Sequence, residues 1–74
     1  MTITVKLFAS FRDNRFKISA KELSDGTDCR KIMCDLGITE EEVGIVLING
    51  RHFSHNQVLR DGDTLAIFPL VGGG

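Results

Sequence analysis

Nowhere in the 74 residues does an apolar run reach the length that a bilayer-spanning helix needs, and no basic-then-apolar leader opens the chain. The expectation is a cytoplasmic protein with no membrane partner. Net charge is also scarce. Nine Lys/Arg against ten Asp/Glu leave −1, which offers no electrostatic footprint for nucleic acid or an anionic surface. The charges are unevenly spread, however: residues 1–31 hold seven Lys/Arg and four Asp/Glu, and residues 32–74 hold two and six.

Cysteine is limited to Cys29 and Cys34, too few for a disulfide framework. With His52 and His55 they make a nominal set of four zinc ligands. Five positions on a helix turn the side chain by about 140° net, so the two thiols face different ways. Zinc pairs sit on shorter, loop-type spacings, and no metal is expected. Neither cysteine has an identifiable base, neither histidine has an orienting partner, and the only glycine cluster follows a strand and opens no helix. These absences argue against an enzyme and against a bound cofactor. The rest of the composition, 42% hydrophobic and 26% charged, is that of one small globular domain.

The apolar residues then give the architecture. Residues 3–9 alternate with period two, placing Ile3, Val5 and Leu7 inward and Thr4, Lys6 and Phe8 outward. A short polar stretch, Ser10 to Asn14, leads to a second alternation with Phe16, Ile18 and Ala20 on the inner side, which predicts an antiparallel hairpin. Ser24-Asp25-Gly26-Thr27-Asp28 is turn chemistry. Beyond it, Cys29, Ile32, Met33 and Leu36 fall at i, i+3, i+4 and i+7, a helical stripe. Thr27 or Asp28 caps its start, Gly37 supplies the left-handed C′ position, and Ile38 makes the apolar contact beyond. Thr39-Glu40-Glu41-Glu42 has capping-box spacing and predicts a brief further turn.

Residues 45–48 are continuously apolar and meet Asn49-Gly50, the strongest two-residue hairpin signal, with Arg51, His52 and Phe53 returning. In that return Phe53 points inward and His52 outward. After a loop at 54–57, Leu59 precedes the turn Arg60-Asp61-Gly62-Asp63. The last strand runs from Thr64 to Phe68, with Leu65 and Ile67 inward and Ala66 and Phe68 outward. The order is strand, strand, helix, strand, short strand, strand: an α+β roll with one main helix on one face of a mixed four- to five-stranded sheet. Its expected core is Ile3, Val5, Leu7, Phe16, Ile18, Ile32, Met33, Leu36, Val46, Ile48, Phe53, Leu59, Leu65 and Ile67.

The only proline, Pro69, ends that strand, and Leu70-Val71 lead into Gly72-Gly73-Gly74. Three glycines add nothing to a core. From composition alone two readings stay open: a frayed end or cloning remnant, and a thin tether that carries a carboxylate into a narrow active site.

Several segments together resemble the MoaD/ThiS family of ubiquitin-like sulfur carriers, and most closely its molybdopterin branch, the small subunits of molybdopterin synthase. They are Val5-Lys6-Leu7-Phe8-Ala9-Ser10-Phe11-Arg12-Asp13, Asn49-Gly50, Leu59-Arg60-Asp61-Gly62-Asp63 and Phe68-Pro69-Leu70-Val71-Gly72-Gly73-Gly74. The resemblance implies a β-grasp domain over residues 1–71 and a flexible glycine tail at 72–74. It also implies that the Gly74 carboxylate is adenylated by a ubiquitin-activator-like adenylyltransferase that uses ATP, then converted to a thiocarboxylate, with Gly72 and Gly73 threading the partner's site. The partners implied are that adenylyltransferase and a molybdopterin synthase large subunit, or a thiazole synthase if the chain serves thiamine instead. β-Grasp topology would set the first and last strands side by side and parallel, bringing Phe8 and Phe68 together on the outward face. With Leu70 they would form an apolar partner-binding face. His52 stands in that set where the molybdopterin branch usually has an apolar residue. A ubiquitin-like protein modifier and a plain β-grasp binding module are the alternatives of other classes.

Overall fold

A computed structural model describes residues 1–70. The expectations placed on Gly72, Gly73 and Gly74, and the domain boundary at Val71, lie outside the described residues. The elements are β1 (Thr2–Leu7), β2 (Ile18–Glu22), α1 (Cys29–Asp35), β3 (Val43–Ile48), β4 (Arg51–His52) and β5 (Thr64–Pro69), with 3-10 turns at Ala9–Arg12 and Glu40–Glu42. The strands form one five-stranded mixed sheet in the order β2-β1-β5-β3-β4. β1 pairs with β5 in parallel and every other pairing is antiparallel. This is the β-grasp roll expected from the sequence.

Register explains the core. Val5 pairs with Leu65 and Leu7 with Ile67, while Ile67 pairs with Val46 and Leu65 with Ile48. Paired residues share a face, so these side chains form continuous buried rows across the three central strands. Against that face lies α1, whose Cys29, Ile32 and Met33 are buried in the same cluster with Phe11, Ile38, Val43 and Leu59. Asp28 caps the helix, accepting from the Lys31 N–H at 2.9 Å. At the other end Gly37 takes φ +73°. Its N–H donates to the Cys34 carbonyl at 3.0 Å, and that of Ile38 donates to the Met33 carbonyl at 2.9 Å. That pair of bonds is a Schellman cap, and Ile38 is its buried apolar contact. Arg15 adds a bond from Nε to the Leu36 carbonyl at 2.9 Å, tying the helix end to the first hairpin.

Two inward assignments, Ile18 and Ala20, are overturned. Ile18 is 56% exposed, because it pairs with Lys6 and so shares Lys6's outer face. Ala20, which pairs with Thr4, is exposed as well. Phe16 lies before the strand begins, half-buried at the core's edge with the Lys21 ammonium 4.8 Å from its ring centre. The cause is the connection. Ala9–Arg12 coils into a 3-10 turn that buries Phe11, and Ala9 and Asn14 adopt positive φ, which breaks the parity that a plain hairpin would carry through. Phe11 thus supplies the buried bulk expected from Ile18. Leu36 and Phe53 pack on the core only in part.

The far turns are latched by side chains. Asp63 accepts from the Asn49 side-chain amide and from the Arg60 N–H, both at 2.8 Å, and Asn49 Oδ1 accepts from the Thr64 N–H at 2.9 Å. Asp61 accepts from the Thr2 N–H at 2.7 Å. The Asp-Gly-Asp turn therefore joins β1, β3 and β5 at one end of the sheet, a structural role.

Candidate functional site

The opposite end of the sheet carries the candidate site. Since Leu7 pairs with Ile67, the next residues, Phe8 and Phe68, are neighbours on the outer face, and their rings stack with centroids 4.1 Å apart and planes 12° apart. Phe8 keeps extended geometry, φ −128° and ψ 154°, directly after the end of β1. The Arg12 guanidinium sits 5.2 Å from the Phe8 ring centre, and its Nε donates to the Leu7 carbonyl at 2.7 Å. A cation placed so over an aromatic face is held electrostatically. Phe8 is thereby braced by Arg12 as well as by Phe68, and both rings are only half-buried.

The face continues across the sheet. Ile45 pairs with Phe68 and is 37% exposed, while Lys6, Ala66, Leu47 and His52 form the next row, each paired with the one before it. Ile18 extends that row on the far side through its pairing with Lys6. His52 lies two strands from β5, roughly 10 Å across at ordinary strand spacing. It shares the outer face with Phe68 but borders the patch and does not meet the rings. Leu70, 63% exposed, follows directly after β5.

Where the chain leaves the sheet, its backbone is held. The Leu70 N–H donates to the Glu42 carbonyl at 2.9 Å. β3 bulges between Val43 and Ile45, and a Cβ on Gly44 would lie 2.8 Å from the Pro69 carbonyl oxygen. Only a residue without Cβ permits so close an approach. The Glu42 carboxylate accepts from both the N–H and the hydroxyl of Thr39 at 2.9 Å, and these bonds hold its pKa below the ordinary value. That capping interaction fixes the 3-10 turn from which the Glu42 carbonyl reaches Leu70.

The structure thus brings Phe8, Phe68 and Ile45 together, with Leu70 just beyond and His52 at the margin. Ile45, Leu47 and Arg12 share this face and were not among the partner-binding residues expected from the sequence. The signal for the first two was present: an apolar run paired antiparallel with residues 64–68 must expose every second residue beside Ala66 and Phe68. Cys29 is buried in the core, where desolvation, with the Asp28 charge adding to it, pushes its thiol up to about 11. Such a thiol holds its proton and does not attack. Cys34 is exposed, on another side of the helix. Among the described residues no group of three His, Cys, Asp or Glu is placed to hold a metal ion, and no helix is long and apolar enough to cross a membrane.

The sequence profile of the ThiS family matches residues 5–74. The chain belongs to the ThiS family. Its members are small sulfur carriers of ubiquitin-like fold that serve as substrates for other enzymes. No curated protein matches the sequence significantly. Solved structures do. The Pyrococcus furiosus protein assigned as molybdopterin converting factor subunit 1 is similar at 28% identity and a TM-score of 0.78, covering 96% of this chain and 99% of that one. SAMP1 of Haloferax volcanii, a small archaeal modifier protein, is similar at 21% identity and a TM-score of 0.75, with full coverage of both chains. A structure of subunits 1 and 2 of the Helicobacter pylori molybdopterin-converting factor is similar at 21% identity and a TM-score of 0.67, again with full coverage of both. The last two likenesses are of fold.

Proposed function

We propose that this chain carries sulfur as a thiocarboxylate on Gly74 for molybdopterin synthesis, docking through the Phe8–Phe68 face on a larger catalytic subunit. The observation that carries the reading is the stacked aromatic pair, half-exposed at the very end of the sheet from which the glycine segment departs. A free carboxylate is a poor electrophile, so the chemistry must begin with activation by a separate adenylyltransferase that uses ATP. The outer sulfur of a partner's cysteine persulfide then attacks the acyl carbon and AMP leaves, and a second thiol of that partner cleaves the resulting acyl persulfide, forming a disulfide and releasing the thiocarboxylate. The partner must enclose the acyl adenylate so that water does not reach it, and Gly72 and Gly73 let two backbones and a nucleotide meet closely.

The molybdopterin branch is favoured by the 28% identity to the Pyrococcus protein and by the Phe8 to Arg12 element, in which Arg12 braces Phe8. In that branch the chain forms a stable complex with a molybdopterin synthase large subunit, as small subunit of a sulfurtransferase. The test is intact mass of the protein from its own cells, with co-purification of partners. One terminal oxygen exchanged for sulfur and a bound synthase subunit are expected. Attachment to target lysines would make it a modifier, and recovery with thiazole synthase would move it to the thiamine branch.

A further inference from the structure

The end of the sheet opposite the tail holds a cleft of about 580 Å³ between the Asn49-Gly50 turn and the loop before β5. Arg51 and Arg60 line it, and they are the only two cations in residues 32–74. Among the described residues neither enters an ion pair: the pairs are Met1–Asp25, Arg30–Glu40 and Lys31–Asp35. Asp63, the one carboxylate in the cleft, has its oxygens engaged by the Asn49 side chain and the Arg60 N–H. Ile48, Phe53 and Val58 supply apolar wall, with Val58 49% exposed.

A ligand matching these walls has an apolar body and a carboxylate, and the chain carries such a segment in Leu70-Val71-Gly72-Gly73-Gly74. The same molecule cannot supply it. From Leu70 back along β5 to Asp63 is roughly 23 Å at strand rise, and four residues reach at most ~14 Å. The geometry points to the C-terminal segment of a second copy, its carboxylate between Arg51 and Arg60 and its Leu70-Val71 against Phe53 and Val58. Guanidinium pairs suit a carboxylate well because they donate in a fixed fork. The contact is head-to-tail and weak, and it covers the unactivated tail until an adenylating partner competes for it. The inference rests on the reading that Gly74 ends in a free carboxylate.

The test titrates an N-acetylated peptide of residues 68–74 into the isotope-labelled full chain and follows backbone amides by NMR. Shifts confined to Arg51, Phe53, Val58 and Arg60, weakened at least tenfold by amidating the peptide's terminus and lost in Arg51→Gln/Arg60→Gln, are the expected result. Equal binding of acid and amide, or shifts centred on Phe8 and Phe68, would overturn it, as would no shift at millimolar peptide. The double variant keeps the tail and the outer face and loses only the competing contact, so its adenylation should equal wild type at dilute protein and exceed it at concentrations where copies associate. Loss of adenylation in the wild-type chain would count against the carrier reading alone, since the titration needs no activating enzyme.

Discussion

Replacing Gly44 by alanine tests whether the backbone contact that fixes the chain's departure from the sheet is as tight as it looks. At a position with helical or extended φ and free space, Gly→Ala stabilises by about 0.4–1 kcal/mol, because the unfolded chain loses freedom. Here the new Cβ would sit 2.8 Å from the Pro69 carbonyl oxygen, 3.1 Å from its carbonyl carbon and 3.2 Å from the Leu70 Cα. All three are backbone atoms, so no side chain can swing aside. Relief requires β3 and β5 to separate at the bulge, which strains the Leu70–Glu42 hydrogen bond. Overpacking of this kind costs ~1–3 kcal/mol, enough to reverse the sign of the entropic gain. With a net loss of ~1–2 kcal/mol, the melting temperature should fall by roughly 4–16 °C for a domain of this size. Having neither Trp nor Tyr, the chain is best followed by far-UV circular dichroism during urea and thermal unfolding. Amide exchange at Leu70 should accelerate in parallel. Stability equal to or above wild type would refute the close approach.

Phe68→Ala and Phe8→Ala should each weaken binding to the activating enzyme or synthase subunit by ~1–3 kcal/mol, measured by calorimetry on protein shown to be folded. Unchanged affinity would remove the aromatic pair from the interface. Deleting Gly74 should abolish ATP-dependent adenylation with no change in unfolding midpoint, and adenylation that persists would defeat the carrier reading. Cys29 gives a pH signature. Its folded pKa, about 11, lies above the reference value of 9.0, so the unfolded thiol ionises first and stability falls as pH rises from about 9 through 11. A shift of that order corresponds to roughly 2–3 kcal/mol. Cys29→Ala should flatten the wild-type fall in unfolding free energy over that window, and an unchanged slope would discount the thiol.

The sequence was most legible where alternation lies wholly inside one strand. Ile3-Val5-Leu7 and Leu65-Ile67 announced their faces, and because those strands pair in register, the meeting of Phe8 and Phe68 followed from topology alone. Around residues 9–17 alternation misled, because positive φ at Ala9 and Asn14 is not written in residue types that demand it, and Phe11 looked like part of a polar connection. Val43 was lost for a related reason. A glycine between it and Ile45 suggests a strand boundary, yet this glycine lies within β3 because Pro69 presses against it. The chemistry proposed for the tail comes only through family resemblance, since three glycines carry no side chain from which to infer anything.

The place of β5 in the sheet has a consequence for how the protein comes into being. β5 is the middle strand of the five and, in chain order, the last of them to be synthesised. Before Thr64 to Pro69 emerge, β1–β2 and β3–β4 are two hairpins with no strand pairing between them, and an isolated hairpin is marginal in water. The domain therefore cannot close in stages during synthesis. A chain interrupted anywhere ahead of Thr64 presents the quality-control proteases with loose hairpins, and a folded body exists only once the strand leading to the glycines has been made.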